Sequence, residues 1–131
     1  MASVKTLLKG KVKIESPKRI FLEKGELAEI YNSSEPIRHI AYIEFPRGKT
    51  RGGHYHARQE YFYIIRGEME LEIADSDTKE TKKVRIKEGD LISIAPKIAH
   101  RIKTLKAGHS IEFSNKLFKP EDTIKYIIWM K

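Results

Sequence analysis

The chain contains no cysteine, which excludes a disulfide framework and any thiolate metal site. It has no apolar run long enough to cross a bilayer, and the opening stretch MASVKTLLKGKVK lacks the hydrophobic core of a signal peptide, so no membrane association and a cytoplasmic location are expected. There is no arginine-rich block, nucleic-acid motif, internal repeat or low-complexity stretch. The single tryptophan, Trp129, is expected to fill core or interface area. At 131 residues and 40% hydrophobic content, the chain has enough apolar material for one core, so residues 1–131 are read as one domain.

Charge is abundant. Charged side chains make up 34% of the chain, and the net charge is +8. This Lys- and Glu-rich balance without cysteine is compatible with a heat-adapted source. The positive sum favours an anionic partner. The lysines of 9–18, 79–87 and 97–106 alternate with apolar or acidic residues, as on the wet face of strands. That distribution points to a small anionic molecule and away from nucleic acid.

Short strand-like runs recur between turn signals: 11–14, 19–23, 26–30, 37–45, 83–86, 91–95, 100–105 and 110–115. The turns are Glu23-Lys24-Gly25, Asn32-Ser33-Ser34, Asp75-Ser76-Asp77, Gly89-Asp90 and Ala107-Gly108. Between them EYFYII ends at Arg66-Gly67 and restarts as EMELEIA, where Met69, Leu71 and Ile73 alternate with Glu68, Glu70 and Glu72; this predicts a hairpin with one apolar face. Such spacing means an all-β sandwich or barrel. In the tail, Pro120 followed by acids suits a helix start, whereas TIKYIIWM suits a strand equally well.

Chemistry concentrates at 48–67, GKTRGGHYHARQEYFYIIRG. In an extended strand His54 and His56 point the same way, so their imidazoles can converge. Glu60 opens the next strand, and His100 stands in a separate stretch, GDLISIAPKIAH. Three neutral imidazoles and one carboxylate suit divalent Mn, Fe, Co, Ni, Cu or Zn, and in six-coordinate geometry leave two positions open. The same histidines without metal can act as acid and base. His39, Tyr42, Tyr61 and Tyr63 lie in apolar runs, where packing competes with a role in ligand contact.

These residues resemble the cupin superfamily. Gly48, His54, His56, Glu60 and Gly67 fit every position of its first motif, Gly-x5-His-x-His-x3–4-Glu-x6-Gly. In the second motif Gly89 and His100 keep the spacing. Pro96 is displaced by one residue, Lys97 and Ile98 stand where the motif has glycine, and Lys103 or Thr104 replaces its Asn. The resemblance implies a double-stranded β-helix, or jelly-roll barrel, with its core at about 37–115 and a tail over 116–131. The ligands would line its mouth, and an N-terminal strand left free to pair with a neighbour favours a homodimer.

The stretches LEKGELAEI, PRGKTRGGHYH and FSNKLFKPED are similar to the cupins that epimerise or isomerise nucleotide-linked keto-sugars. That resemblance implies His54 as base, His56 or Tyr63 as proton-shuttling companion and Arg51 on the diphosphate, with Arg47, Arg58 or Arg101 assisting and Tyr42 contacting substrate. The tyrosine acid of the 3,5-epimerases is matched by Phe113, which has no proton to give, so a ketoisomerase using paired histidines fits better. Two other classes remain open: a metal-dependent cupin (a dioxygenase or phosphosugar isomerase) with His54, His56, Glu60 and His100 on Mn, Fe, Ni or Zn, and a non-catalytic carbohydrate-binding module.

Overall fold

The computed structural model describes residues 4–127. Its strands are β1 (Val4–Leu7), β2 (Val12–Glu15), β3 (Arg19–Leu22), β4 (Gly25–Ala28), β5 (His39–Phe45), β6 (Thr50–His56), β7 (Glu60–Asp75), β8 (Thr81–Lys87), β9 (Leu91–Ile94), β10 (Ile98–Ser114) and β11 (Thr123–Lys125), with a 3₁₀ turn at Pro120–Asp122. All recorded pairings are antiparallel. Among the described residues no helix is long and apolar enough to cross a membrane. Trp129 lies outside the described residues.

The fold is a jelly roll built on two long bent strands. The first part of β7 pairs with β9 and its second part with β8. The first part of β10 pairs with β6 and its later part with β5, while β7 and β10 pair along almost their whole lengths. One wall therefore reads β8, late β7, early β10, β6, β11. The other reads β1, β2, β9, early β7, late β10, β5. The expected hairpin at Arg66-Gly67 is corrected: β7 runs through Gly67 as one 16-residue strand. The expected turn at Ala107-Gly108 is likewise a bend within the 17-residue β10. Gly67 (φ 102°) and Gly108 lie against each other where both strands fold over, and a Cβ on Gly108 would stand 1.8 Å from the Arg66 carbonyl oxygen.

Alternation along these strands builds the core. Met69, Leu71 and Ile73 point inward and are fully buried, meeting Phe62, Ile64, Ile92 and Ile94 of the opposite wall and Ile86 and Ile102 of their own. Glu68, Glu70 and Glu72 point outward and meet cations: Arg85 with Glu68, Lys83 with Glu70, Arg101 with Glu72. The alternating lysines are thus the wet face of the sheet, as their spacing predicts. A second cluster, Tyr63, Leu91 and Phe113, lies on the outer face of the other wall beneath Ile30 and Tyr31. The first strand is hydrogen-bonded to β2, and the tail forms a 3₁₀ turn and then a short strand on β6.

Candidate functional site

The site lies between the two walls, and strand register assembles it. His54 and His56, two apart on β6, share a face. His100 on β10 is the direct cross-strand partner of His54. A bulge between His100 and Arg101 re-aims that strand, and Gly52 (φ 102°) makes it possible, because a Cβ there would lie 2.6 Å from the His100 carbonyl oxygen. His100 is also steadied by the preceding turn. Lys97, at the motif position that takes glycine, is itself in the left-handed region (φ 67°), and its amide donates to the His56 carbonyl at 2.9 Å.

The three imidazoles come together, with ring centroids 4.7, 4.9 and 5.6 Å apart and one nitrogen of each within 4.8 Å of the others. Glu60, at the start of β7, approaches His56 Nε2 at 3.2 Å and His100 Nε2 at 3.4 Å. Its Oε2 also lies 3.4 Å from Arg58 Nη2. Thr123 Oγ1 is 3.2 Å from His56 Nδ1, so the C-terminal strand closes one side. Together these groups form one end of a cavity of about 260 Å³, walled by Ile43, Phe45, Phe62, Ile102 and Phe118.

Burial sets the protonation. It pushes His56 and His100 down to about 3, with neighbouring imidazoles and Arg58 adding to the effect, and lowers His54 as well. It pushes Glu60 up to about 9, helped by the nearby Glu112 carboxyl and opposed by Arg58. Near neutral pH the site thus holds neutral imidazoles beside a protonated carboxyl, a set that can both accept and donate protons.

Of the residues expected from sequence, His54, His56, Glu60, His100 and Arg51 all line the cavity. Tyr63 does not: it points to the opposite face of β7 from Glu60 and packs against Leu91 and Phe113. Tyr42 is 62% exposed and bonded to His109 at 2.8 Å. Arg101 pairs with Glu72 on the outer surface, away from the cavity. His39 stacks on Phe118 with centroids 5.2 Å apart. Arg58, one of several assisting arginines by sequence, is buried in the site wall with its guanidinium 5.0 Å from the Phe118 ring. Ser110 and Glu112 were missed. Period-two alternation in SIEFSN sets them on the face opposite Phe113, which was the available signal. Nothing in the sequence marks Thr123.

The three imidazoles suit a divalent transition metal in type and grouping, and Glu60 stands beside them with its Oε1 3.4 Å from His100 Nε2. The buried Arg58 cation beside Glu60 works against a second positive charge at that carboxylate.

Comparison with known proteins agrees with this architecture. The family model described as Cupin domain matches residues 41–114. No curated protein sequence matches. Among solved structures, the dTDP-6-deoxy-D-glucose-3,5-epimerase RmlC from Legionella pneumophila, in complex with dTDP-4-keto-L-rhamnose, superposes with TM-score 0.79 at 16% identity, over 95% of this chain and 77% of that one. ChmJ, a 3′-monoepimerase from Streptomyces bikiniensis in complex with dTDP-quinovose, gives 0.81 at 14%, over 92% and 71%. A mutant of the 3,4-ketoisomerase QdtA from Thermoanaerobacterium thermosaccharolyticum, in complex with TDP-4-keto-6-deoxyglucose, gives 0.74 at 17%, over 91% and 90%. At these identities the likeness is one of fold.

Proposed function

Because the chain belongs to the cupin family, a fold that hosts many chemistries, the reaction has to be read from the site itself, and we propose that it is an isomerase or epimerase of a nucleotide-linked or phosphorylated keto-sugar. The observation that carries this reading is the grouping of three neutral imidazoles and a protonated carboxyl at the end of a cavity with apolar walls. Proton transfer next to a ketone needs a base that is unprotonated at neutral pH and an acid that still holds its proton.

In this mechanism His54 takes the proton from the hydroxyl-bearing carbon beside the ketone, and the electron pair moves to the ketone oxygen to give an enediolate. Glu60, which holds a proton at neutral pH, then delivers it to the former carbonyl carbon, while the hydroxyl proton passes to the former ketone oxygen so that ketone and hydroxyl exchange places; the proton held by His54 returns to Glu60, with His56 between them as the shuttle. Among the described residues no tyrosine lines the cavity, and Glu60 is the group there that holds a proton at neutral pH. That supports ketoisomerisation over double epimerisation. Arg51, on the cavity lining and without a salt bridge among the described residues, is available to a phosphate. A homodimer is part of the proposal, supported by the exposed Phe21, Leu22 and Leu27 of the β3–β4 hairpin.

The test is exchange in deuterated water with nucleoside-diphosphate 4-keto-6-deoxy sugars, read by NMR. Wild-type protein is expected to incorporate deuterium at the carbon beside the ketone with chelator present, and His54→Asn to lose roughly 10²–10⁴ of the rate with its fold intact. Binding without exchange would leave a carbohydrate-binding module.

The grouping of the three imidazoles favours a second reading, a metal-dependent cupin in which His54, His56, His100 and Glu60 hold the ion. A bound divalent ion would supply Lewis-acid polarisation of a substrate oxygen. Elemental analysis of protein purified without added metal separates the readings: stoichiometric metal, lost in His56→Ala, would displace the metal-free mechanism.

A further inference from the structure

A second cleft of about 460 Å³ adjoins the catalytic cavity, and Arg58 lines both. Its other charged residues are Arg38, Lys116, Lys119 and Asp122, so four cations face one carboxylate. The side chains of Arg38, Lys116 and Lys119 are exposed and engage no ion pair or hydrogen bond among the described residues. Arg58 differs: it is only 6% exposed, and its Nε and Nη1 have no acceptor. Its one polar contact is the 3.4 Å approach of Nη2 to Glu60, which is long for a charge-assisted bond. A buried guanidinium held by so little carries a desolvation cost that an anionic ligand would offset.

The two cavities are contiguous in sequence as well. Phe118 covers the Arg58 guanidinium and lines the catalytic cavity, while Leu117 and Lys119 on either side of it line the cleft. Arg58 is the lining residue that cavity and cleft share, so a ligand spanning both would pass its guanidinium.

We infer that this cleft binds a phosphate or diphosphate group and holds the anionic end of the substrate whose sugar reacts in the neighbouring cavity. The choice of anion rests on charge and on the planar N–H fork of arginine, which suits phosphate oxygens. Only the identity of what the anion is attached to rests on the sugar-isomerase reading. Arg51, which lines the cavity and not the cleft, is the rival anchor for the same group, and the R51A variant tells the two apart.

The experiment is calorimetric titration of the full chain with inorganic pyrophosphate and, separately, with a nucleoside diphosphate. The proteins compared are wild type, the double variant K116E/K119E and R51A. Both lysines are exposed, so the double variant is expected to fold, with circular dichroism and melting temperature as the check. The expected result is binding of both ligands at one competing site, weakened at least ten-fold in K116E/K119E and less in R51A, and weakening with added salt. Unchanged affinity in K116E/K119E, or no binding to wild type, would overturn the inference. Lysine-dependent pyrophosphate binding that the nucleoside diphosphate does not compete with would overturn the assignment to substrate. If binding behaves as expected yet no keto-sugar ever exchanges deuterium, the cleft stands and the isomerase reading falls.

Discussion

At the scale of single residues, the site depends on backbone positions as much as on its titratable groups. Gly52 is the clearest case. It combines φ 102° with a 2.6 Å approach to the His100 carbonyl, so Gly52→Ala meets both backbone strain and a clash against main chain that cannot rotate away. The expected cost is about 2–4 kcal/mol in denaturant unfolding, with His100 displaced from His54 and deuterium exchange reduced. Gly48→Ala is the control. It also has positive φ, 77°, but open space around it, and should cost only about 1 kcal/mol without affecting the site. Equal costs for the two would show that the bulge does not position His100. Lys97 shows the reverse situation: a non-glycine residue tolerates the left-handed region because its amide bond to His56 and the neighbouring strands hold it there.

At the scale of elements, β7 and β10 organise the molecule, since each contributes to both walls. Their bends pass through Gly67 and Gly108, which approach too closely for any Cβ. Gly108→Ala would place a carbon 1.8 Å from the Arg66 carbonyl oxygen, so it is expected to separate the strands at the fold-over and destabilise by more than about 4 kcal/mol. Hydrogen exchange should show the loss concentrated at 64–68 and 106–110. Protection there unchanged from wild type would mean that the bend has another support. The same bends mark where sequence reading stops. Turn signals at Arg66-Gly67 and Ala107-Gly108 are real, and each half-strand was legible, as were His54, His56, Glu60 and His100. Glycine in an extended strand and glycine in a hairpin turn look alike locally, however, and only the pairing of β7 with β10 along both halves distinguishes them. Tyr63 was assigned to the site for a related reason. The hydroxyl chemistry suited the role, but Glu60 and Tyr63 are three apart on one strand and so face opposite ways. Arg58 was legible as a cation but not as a buried one, because the ring its guanidinium stacks on, Phe118, lies sixty residues away in sequence.

At the scale of the whole molecule, the buried site controls how stability varies with pH. His56 and His100 are held neutral down to about 3, so their contribution is complete above the ordinary histidine value near 6.5 and is lost as pH falls below it. Glu60 is raised to about 9, so its contribution is complete below the ordinary carboxylate range and is lost as pH rises toward 9. Between roughly pH 4.5 and 6.5 the unfolded chain binds more protons at His56 and His100, and to a lesser extent at His54, and one fewer at Glu60. The histidines outnumber the carboxyl, so stability should rise with pH. Between roughly pH 6.5 and 9 Glu60 is the site group that differs and the sign reverses, so stability should fall. The metal-free protein is expected to be most stable near pH 6.5, although its net charge of +8 would by itself favour more alkaline conditions, where self-repulsion weakens. Denaturant midpoints measured across pH 4 to 9.5 with chelator present check this, and Glu60→Gln should flatten the alkaline limb and steepen the acid limb, where Glu60 opposes the histidines. A wild-type profile already flat from 6.5 to 9 would mean that Glu60 is ionised in the folded protein. The neutral, proton-sharing site on which the proposed chemistry depends would then not exist.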